Sequence, residues 1–124
     1  MNRNKIFLST AIPFVNAKPH LGHALEFVQT DAIARFWRTR GKDVFFLTGT
    51  DENAMKNVQA AEEVGVAVSD FVSENSKLFL ELAKTYNISN SDFIRTSEEK
   101  RHKDGAQKLW QSLKAEDIYK QKYR

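Results

Sequence analysis

Apolar residues along this chain fall into two kinds of pattern. Short, nearly continuous runs rich in β-branched and aromatic residues occur at Lys5–Ile12 (K-I-F-L-S-T-A-I) and Asp43–Thr48 (D-V-F-F-L-T). A shorter run occurs at Phe93-Ile94-Arg95. Each reads as a buried strand. Between them the apolar positions space out. Leu21, Leu25, Val28, Ala32 and Phe36 recur every three or four residues, which predicts an amphipathic helix from Pro19 to about Arg40. Pro19 suits its first turn and Gly41 its end. A second helix is predicted from about Asn53 to Val64, closed by Gly65. Ser69 is an expected N-cap for a third, with Phe71, Leu78, Leu82 and Tyr86 on one side. Asn87 to Asp92 reads as a polar turn. Thr96 and Glu99 form a capping-box pattern opening a last helix, with Ala106, Leu109, Trp110 and Leu113 inward. Ile118, Tyr119 and Tyr123 read as the beginning of another strand.

The predicted order is strand, helix, strand, helix, helix, short strand, helix. Apolar strands alternating with helices imply an α/β fold with a parallel sheet covered on both faces. In such sheets ligands bind beyond the carboxyl ends of the strands. Pro19–His23 and Gly49–Asn53 both follow strands, so both are expected on that edge. At 124 residues the chain is one domain or part of one. Half of such a sheet would leave apolar surface and a strand edge open, and self-association is then expected.

Composition narrows the classes. There is no cysteine, which excludes disulfides, thiol catalysis and cysteine-based zinc sites in this chain. No apolar run approaches the ~20 residues of a membrane span, so no membrane partner is expected. The basic start, Met1-Asn2-Arg3-Asn4-Lys5, leads into a strand rather than a signal-peptide core. The cytoplasm is the default location. The net charge is +3, and nine Lys/Arg stand against five Asp/Glu from Arg95 onward. That bias reads as a solvated helix face.

The chemistry is concentrated in K-P-H-L-G-H, Lys18 to His23. A helix start offers free backbone N–H groups and the positive end of its dipole to an anion. Gly22 has no Cβ, so a flat base or a phosphate can approach the backbone. His20 and His23, three apart, share a helix face and can donate to phosphate oxygens, better still when protonated. Half of a metal site is the competing reading, but no carboxylate or third histidine stands at matching spacing, so no metal is assigned. Neither a G-x-x-x-x-G-K-[ST] phosphate loop nor a G-x-G-x-x-G fingerprint is present.

The stretch S-T-A-I-P-F-V-N-A-K-P-H-L-G-H, followed later by F-F-L-T-G-T-D-E, resembles the N-terminal part of the methionyl-tRNA synthetases. These are class I aminoacyl-tRNA synthetases, which carry H-x-G-H as one of two signatures. The resemblance runs from about Lys5 to the C-terminus. It implies the first half of a Rossmann-like (HUP-type) parallel-sheet nucleotide-binding fold, incomplete here. Residues 1–124 would be the N-terminal part of the class I catalytic domain, ending about where the family's insertion domain begins. It also implies a reaction: ATP, as its Mg2+ complex, and methionine form methionyl-adenylate, and the methionyl group passes to tRNA. By resemblance His20 and His23 contact the ATP phosphates and Gly22 makes room for the adenine. Asp51 holds the α-ammonium of methionine, and Ile12 and Phe14 border the amino acid. Ile12 reads equally well as ordinary packing. Lys56 reads as a solvated helix lysine and His102 as a structural or surface residue.

The chain departs from the family at Phe14, where relatives often have Tyr, and at Asn53-Ala54, where H-G is common. It lacks the second signature, K-M-S-K-S, and any ligands for the family's zinc. The expectation is a fragment, inactive alone. Two other readings remain open at this point: a small H-x-G-H nucleotidyltransferase, and a non-catalytic binding module that keeps the fold.

Overall fold

A computed structural model describes residues 4–122. Strand β1 spans Lys5–Ser9, helix α1 Leu21–Thr39, β2 Asp43–Thr50, α2 Met55–Val64, α3 Val68–Thr85, β3 Asp92–Arg95 and α4 Lys100–Ser112. The three strands form one all-parallel sheet in the order β1-β2-β3. Lys5 pairs with Asp43 and Ser9 with Leu47; Leu47 in turn pairs with Asp92 and Thr50 with Arg95. The predicted order of elements and the parallel pairing of the first two strands both hold.

Strand β1 is shorter than its apolar run. The ladder lasts one residue beyond it, through the Thr10 N–H on the Leu47 carbonyl at 3.2 Å. The Ala11 N–H then donates to Glu26 Oε1 at 2.7 Å instead of to the sheet, and Pro13 has no N–H to give. The chain rejoins at Phe14, which forms an isolated parallel bridge with Asp51.

The period of two along β2 sets the layers. Val44, Phe46, Thr48 and Thr50 are buried and face the helices. Val44 and Phe46 pack with Ala34 of α1, flanked by Ile6, Leu8 and Trp37. A second cluster joins Val15, Phe27, Val72, Phe79 and Ala83 between α1 and α3. On the opposite face Phe7 and Phe45 stack at 6.1 Å and stay 63% and 46% exposed. Among the described residues the sheet is therefore covered on one face, not on both. At Gly49 a Cβ would come within 2.1 Å of the Ile94 carbonyl oxygen, so only glycine lets β2 and β3 pair this closely.

Each helix departs from prediction at a defined point. Helix α1 is capped by His20, so Pro19 precedes it rather than opening it. It buries Ala24, Phe27, Asp31 and Ala34, whereas Leu21, Leu25, Val28 and Phe36 are exposed. Ala32 is exposed as well. The face with alanines allows close approach to the sheet, and the face with bulkier residues points away from it. Helix α2 begins at Met55, two residues later than predicted, and closes at Gly65 with φ +70°, as expected. Helix α3 starts on Ala67 without a side-chain cap, so Ser69 lies inside its first turn. Its buried stripe is Val72, Asn75, Ser76, Phe79 and Ala83. Two polar members disguise that stripe in the sequence. Phe71 and Leu82 border the core, while Leu78 and Tyr86 are exposed.

Helix α4 buries none of its residues; Ala106, Leu109, Trp110 and Leu113 are exposed, against expectation. The Thr96–Glu99 capping box does not form either. The Thr96 hydroxyl accepts the Glu52 N–H at 2.8 Å, and Glu99 Oε1 accepts the Arg95 N–H at 3.0 Å. Ile118 and Tyr119 follow a short 3-10 turn, Ala115–Asp117, and form no strand. Tyr123 lies outside the described residues. No helix among those described is long and apolar enough to cross a membrane.

Candidate active site

Both polar clusters lie at the carboxyl edge of the sheet. His20 caps α1 at the end of the connection from β1, His23 lies in the first turn of α1, and Asp51 directly follows β2. The histidines form a reciprocal cap. The Gly22 N–H donates to His20 Nδ1 at 3.1 Å, and the His20 N–H donates to His23 Nδ1 at 3.2 Å. Their rings stack with centroids 3.9 Å apart and 22° between planes. The edge contact of His23 with Phe79, at 4.9 Å, anchors the pair to the core.

This arrangement fixes the tautomers. With both Nδ1 atoms accepting, each neutral ring carries its proton on Nε2 and offers one N–H donor. Burial lowers the His23 pKa, and the neighbouring His20 lowers it further, while Glu26 acts in the opposite sense. The cap occupies both Nδ1 atoms and leaves Nε2 of each ring as the donor available to a ligand. Gly22 has a specific geometric reason: a Cβ there would lie 2.9 Å from His20 Cε1. A side chain at this position would displace the ring that caps the helix.

The second cluster separates two adjacent carboxylates. By strand alternation Thr50 and Glu52 continue the helix-facing row, while Asp51 belongs to the other row. The Asp51 N–H donates to the Pro13 carbonyl at 2.8 Å, and its carbonyl accepts from Asn57 Nδ2 at 3.1 Å. Its Oδ1 accepts the Asn53 N–H at 3.2 Å. The carboxylate is thus held at a partly exposed edge, where a cation can reach it. Phe14, across the bridge, is 43% exposed, and Ile12 is half-buried. Lys56 Nζ lies 5.9 Å from the centre of the Phe14 ring. His102 is set apart. It lines a cavity of about 350 Å³ with Asn53, Thr96, Ser97 and Lys103.

Sequence reasoning overlooked Glu52. Its side chain is fully buried and pairs with Arg95 Nε at 2.7 Å. It also accepts from Ser76 Oγ at 2.5 Å and from the Ser97 hydroxyl. Burial pushes its pKa up, but the bonds from Ser76, Ser97 and Arg95 outweigh that and hold it below the usual carboxylate range. The signal was available: counting by two from Val44 places residue 52 on the buried side. Among the described residues no group of three or more His, Asp or Glu side chains could hold a metal ion.

The sequence model of the family described as tRNA synthetases class I (M) matches residues 6–124. The chain belongs to this family. A methionine–tRNA ligase of Brucella suis is 48% identical over 124 residues, covering 99% of this chain and 24% of the relative. That of Rhizobium meliloti is 46% identical over 118 residues, covering 94% of this chain and 23% of the relative. A solved Mycobacterium tuberculosis methionyl-tRNA synthetase in complex with methionyl-adenylate aligns at a TM-score of 0.85 and 44% identity. The alignment covers 87% of this chain and 21% of that one. The chain spans about a quarter of the length of its curated class I relatives. The expected resemblance holds, and so does the incomplete parallel-sheet fold of the class I catalytic domain.

Proposed function

We propose that this chain is the N-terminal part of an enzyme that activates methionine with ATP and charges tRNA. The observation that carries the reading is the H-x-G-H cap at the sheet's carboxyl edge, in a fold shared with a synthetase solved with methionyl-adenylate. The methionine carboxylate attacks the α-phosphorus of ATP. A new P–O bond forms as the bond to the β-phosphate bridge breaks, and pyrophosphate leaves. A hydroxyl of the tRNA's terminal adenosine then takes the methionyl group and AMP departs.

In this reading His20 and His23 donate from Nε2 to the phosphates, where charge accumulates in the transition state. Gly22 leaves room beside the adenine, Asp51 pairs with the methionine ammonium, and Ile12 and Phe14 border the amino acid. Mg2+ arrives with ATP. The location that fits such an enzyme is the cytoplasm.

The test is pyrophosphate exchange in the full-length protein that carries these residues, with each amino acid in turn. Methionine-dependent exchange is the expected result. Exchange with a different acceptor would favour the small nucleotidyltransferase, and none would favour the binding module. Asp51→Ala removes a ground-state partner of the substrate cation. It is expected to raise the Michaelis constant for methionine and leave that for ATP nearly unchanged. Equal increases for both substrates would count against the assignment of Asp51.

The bare Phe7–Phe45 face and the open edges of a three-stranded sheet support self-association of the isolated 124-residue chain. Sedimentation of that chain is expected to show dimers or larger species; a monodisperse monomer would contradict this.

A further inference from the structure

One face of α3 meets three segments that border the candidate site. Asn75 Nδ2 donates to the Val15 carbonyl at 2.7 Å. Ser76 Oγ donates to Glu52 Oε1 at 2.5 Å, and the Phe79 ring meets His23 edge-on. All three side chains are buried. Asn75 and Ser76 are the polar members of a stripe otherwise made of Val72, Phe79 and Ala83. A polar group in such a place costs stability unless it satisfies a partner.

The partner here is informative. Val15 is fully buried and immediately follows Phe14. The segment Pro13–Val15 rejoins the sheet through the Phe14–Asp51 bridge and the Asp51 N–H on Pro13. This short return to the sheet carries Phe14 and pairs it with Asp51, the ammonium-binding carboxylate proposed above. On its far side the chain leaves through an exposed stretch, Asn16–Lys18, toward the histidines. Asn75 is the tether that α3 supplies at this corner.

We infer that Asn75 is a positioning residue for the amino-acid subsite: by holding the Val15 carbonyl it sets the Phe14–Asp51 bridge. The inference rests on the reading given under Proposed function. Without the tether, Val15 presents a buried carbonyl with one partner fewer, and the bridge is free to shift relative to α3. The proton donors on the histidines are held separately, by the cap and by Phe79. The two ends of the site should therefore respond differently to loss of Asn75.

The experiment is steady-state pyrophosphate exchange in the full-length synthetase carrying these residues, with Asn75→Leu and Asn75→Asp. Both remove the N–H donor at similar size, but only the second buries a charge. Losing one such bond is expected to raise the Michaelis constant for methionine about tenfold in both variants, with that for ATP unchanged. Unfolding midpoints should differ between the two, because leucine suits the stripe and aspartate does not. A purely structural asparagine would leave the Michaelis constants of both variants unchanged, with the change confined to the unfolding midpoint and the number of active sites. That result would overturn the inference while leaving the function intact. A parent enzyme without methionine-dependent exchange would overturn the functional reading itself. Amide hydrogen exchange at Asp51 in the full-length synthetase then decides the geometric claim alone. Faster exchange in Asn75→Leu supports the tether, and unchanged protection rejects it.

Discussion

Replacing His23 by alanine in the full-length enzyme is expected to slow adenylate formation about 100-fold, with little change in ATP affinity. His23 Nδ1 is occupied by the His20 N–H, so Nε2 is the nitrogen left to donate to a ligand. A preset donor contributes most where charge develops, and removal of one typically costs about 3 kcal/mol in the transition state, or roughly 100-fold in rate. His20→Ala should cost a similar factor. It also removes the acceptor for the Gly22 N–H, so the helix start should loosen. Rapid-quench measurement of single-turnover adenylation separates binding from chemistry. Wild-type adenylation rates in His23→Ala, together with collapsed methionine binding, would reverse the roles of the two clusters.

The second large effect is on stability. Glu52→Ala is expected to destabilise the chain by about 3 kcal/mol, read from urea unfolding at neutral pH. The carboxylate is buried between β2, α3 and β3 and holds Ser76, Arg95 and Ser97 at once. Its removal leaves Arg95, which is three-quarters buried, without its main counter-charge. Such a loss is a large share of the roughly 5–15 kcal/mol available to a domain. A change below about 1 kcal/mol would show that the three elements are joined by other contacts.

The same residue gives the stability a pH signature. Its folded pKa lies below the unfolded value of about 4.3, so its contribution is complete above that pH. It is lost as the pH falls through the folded value. Asp31 acts in the same direction. Burial raises its pKa, but hydrogen bonds from Ser89 and Arg35 more than offset this. Stability should therefore drop between pH 5 and the acid limit, and Glu52→Gln should flatten that slope. An unchanged slope in Glu52→Gln would remove Glu52 as a source of the acid sensitivity.

The bare sheet face traces to the pattern of the strands. Phe7 and Phe45 make their strands read as apolar on both sides, which is the signature of a sheet covered twice. Within the described residues only the face toward α1 and α3 is covered. The second apolar row is a statement about neighbours, and a local pattern carries no information on whether those neighbours are present. The same holds for helix α4, where Leu109, Trp110 and Leu113 are apolar yet stay exposed among the described residues.

Element order, parallel pairing of the first two strands, the glycine stops at Gly41 and Gly65, and the two polar clusters were all legible from residue type and spacing. These depend on steric and hydrogen-bonding rules that act within a few residues. Three features depended on tertiary structure. The buried faces of α1 and α3 were displaced from their bulkiest residues, because close approach selects Ala24 and Ala34 and because Asn75 and Ser76 hold polar partners in the core. Thr96 and Glu99 gave up their cap to serve Glu52 and Arg95, which lie far away in sequence or across a strand end. The division of Asp51 and Glu52 into an exposed edge and a buried brace became visible only once β2 had a covered face. Identical carboxylates one residue apart differ in role because folding places one against helix and strand donors and leaves the other at the sheet edge.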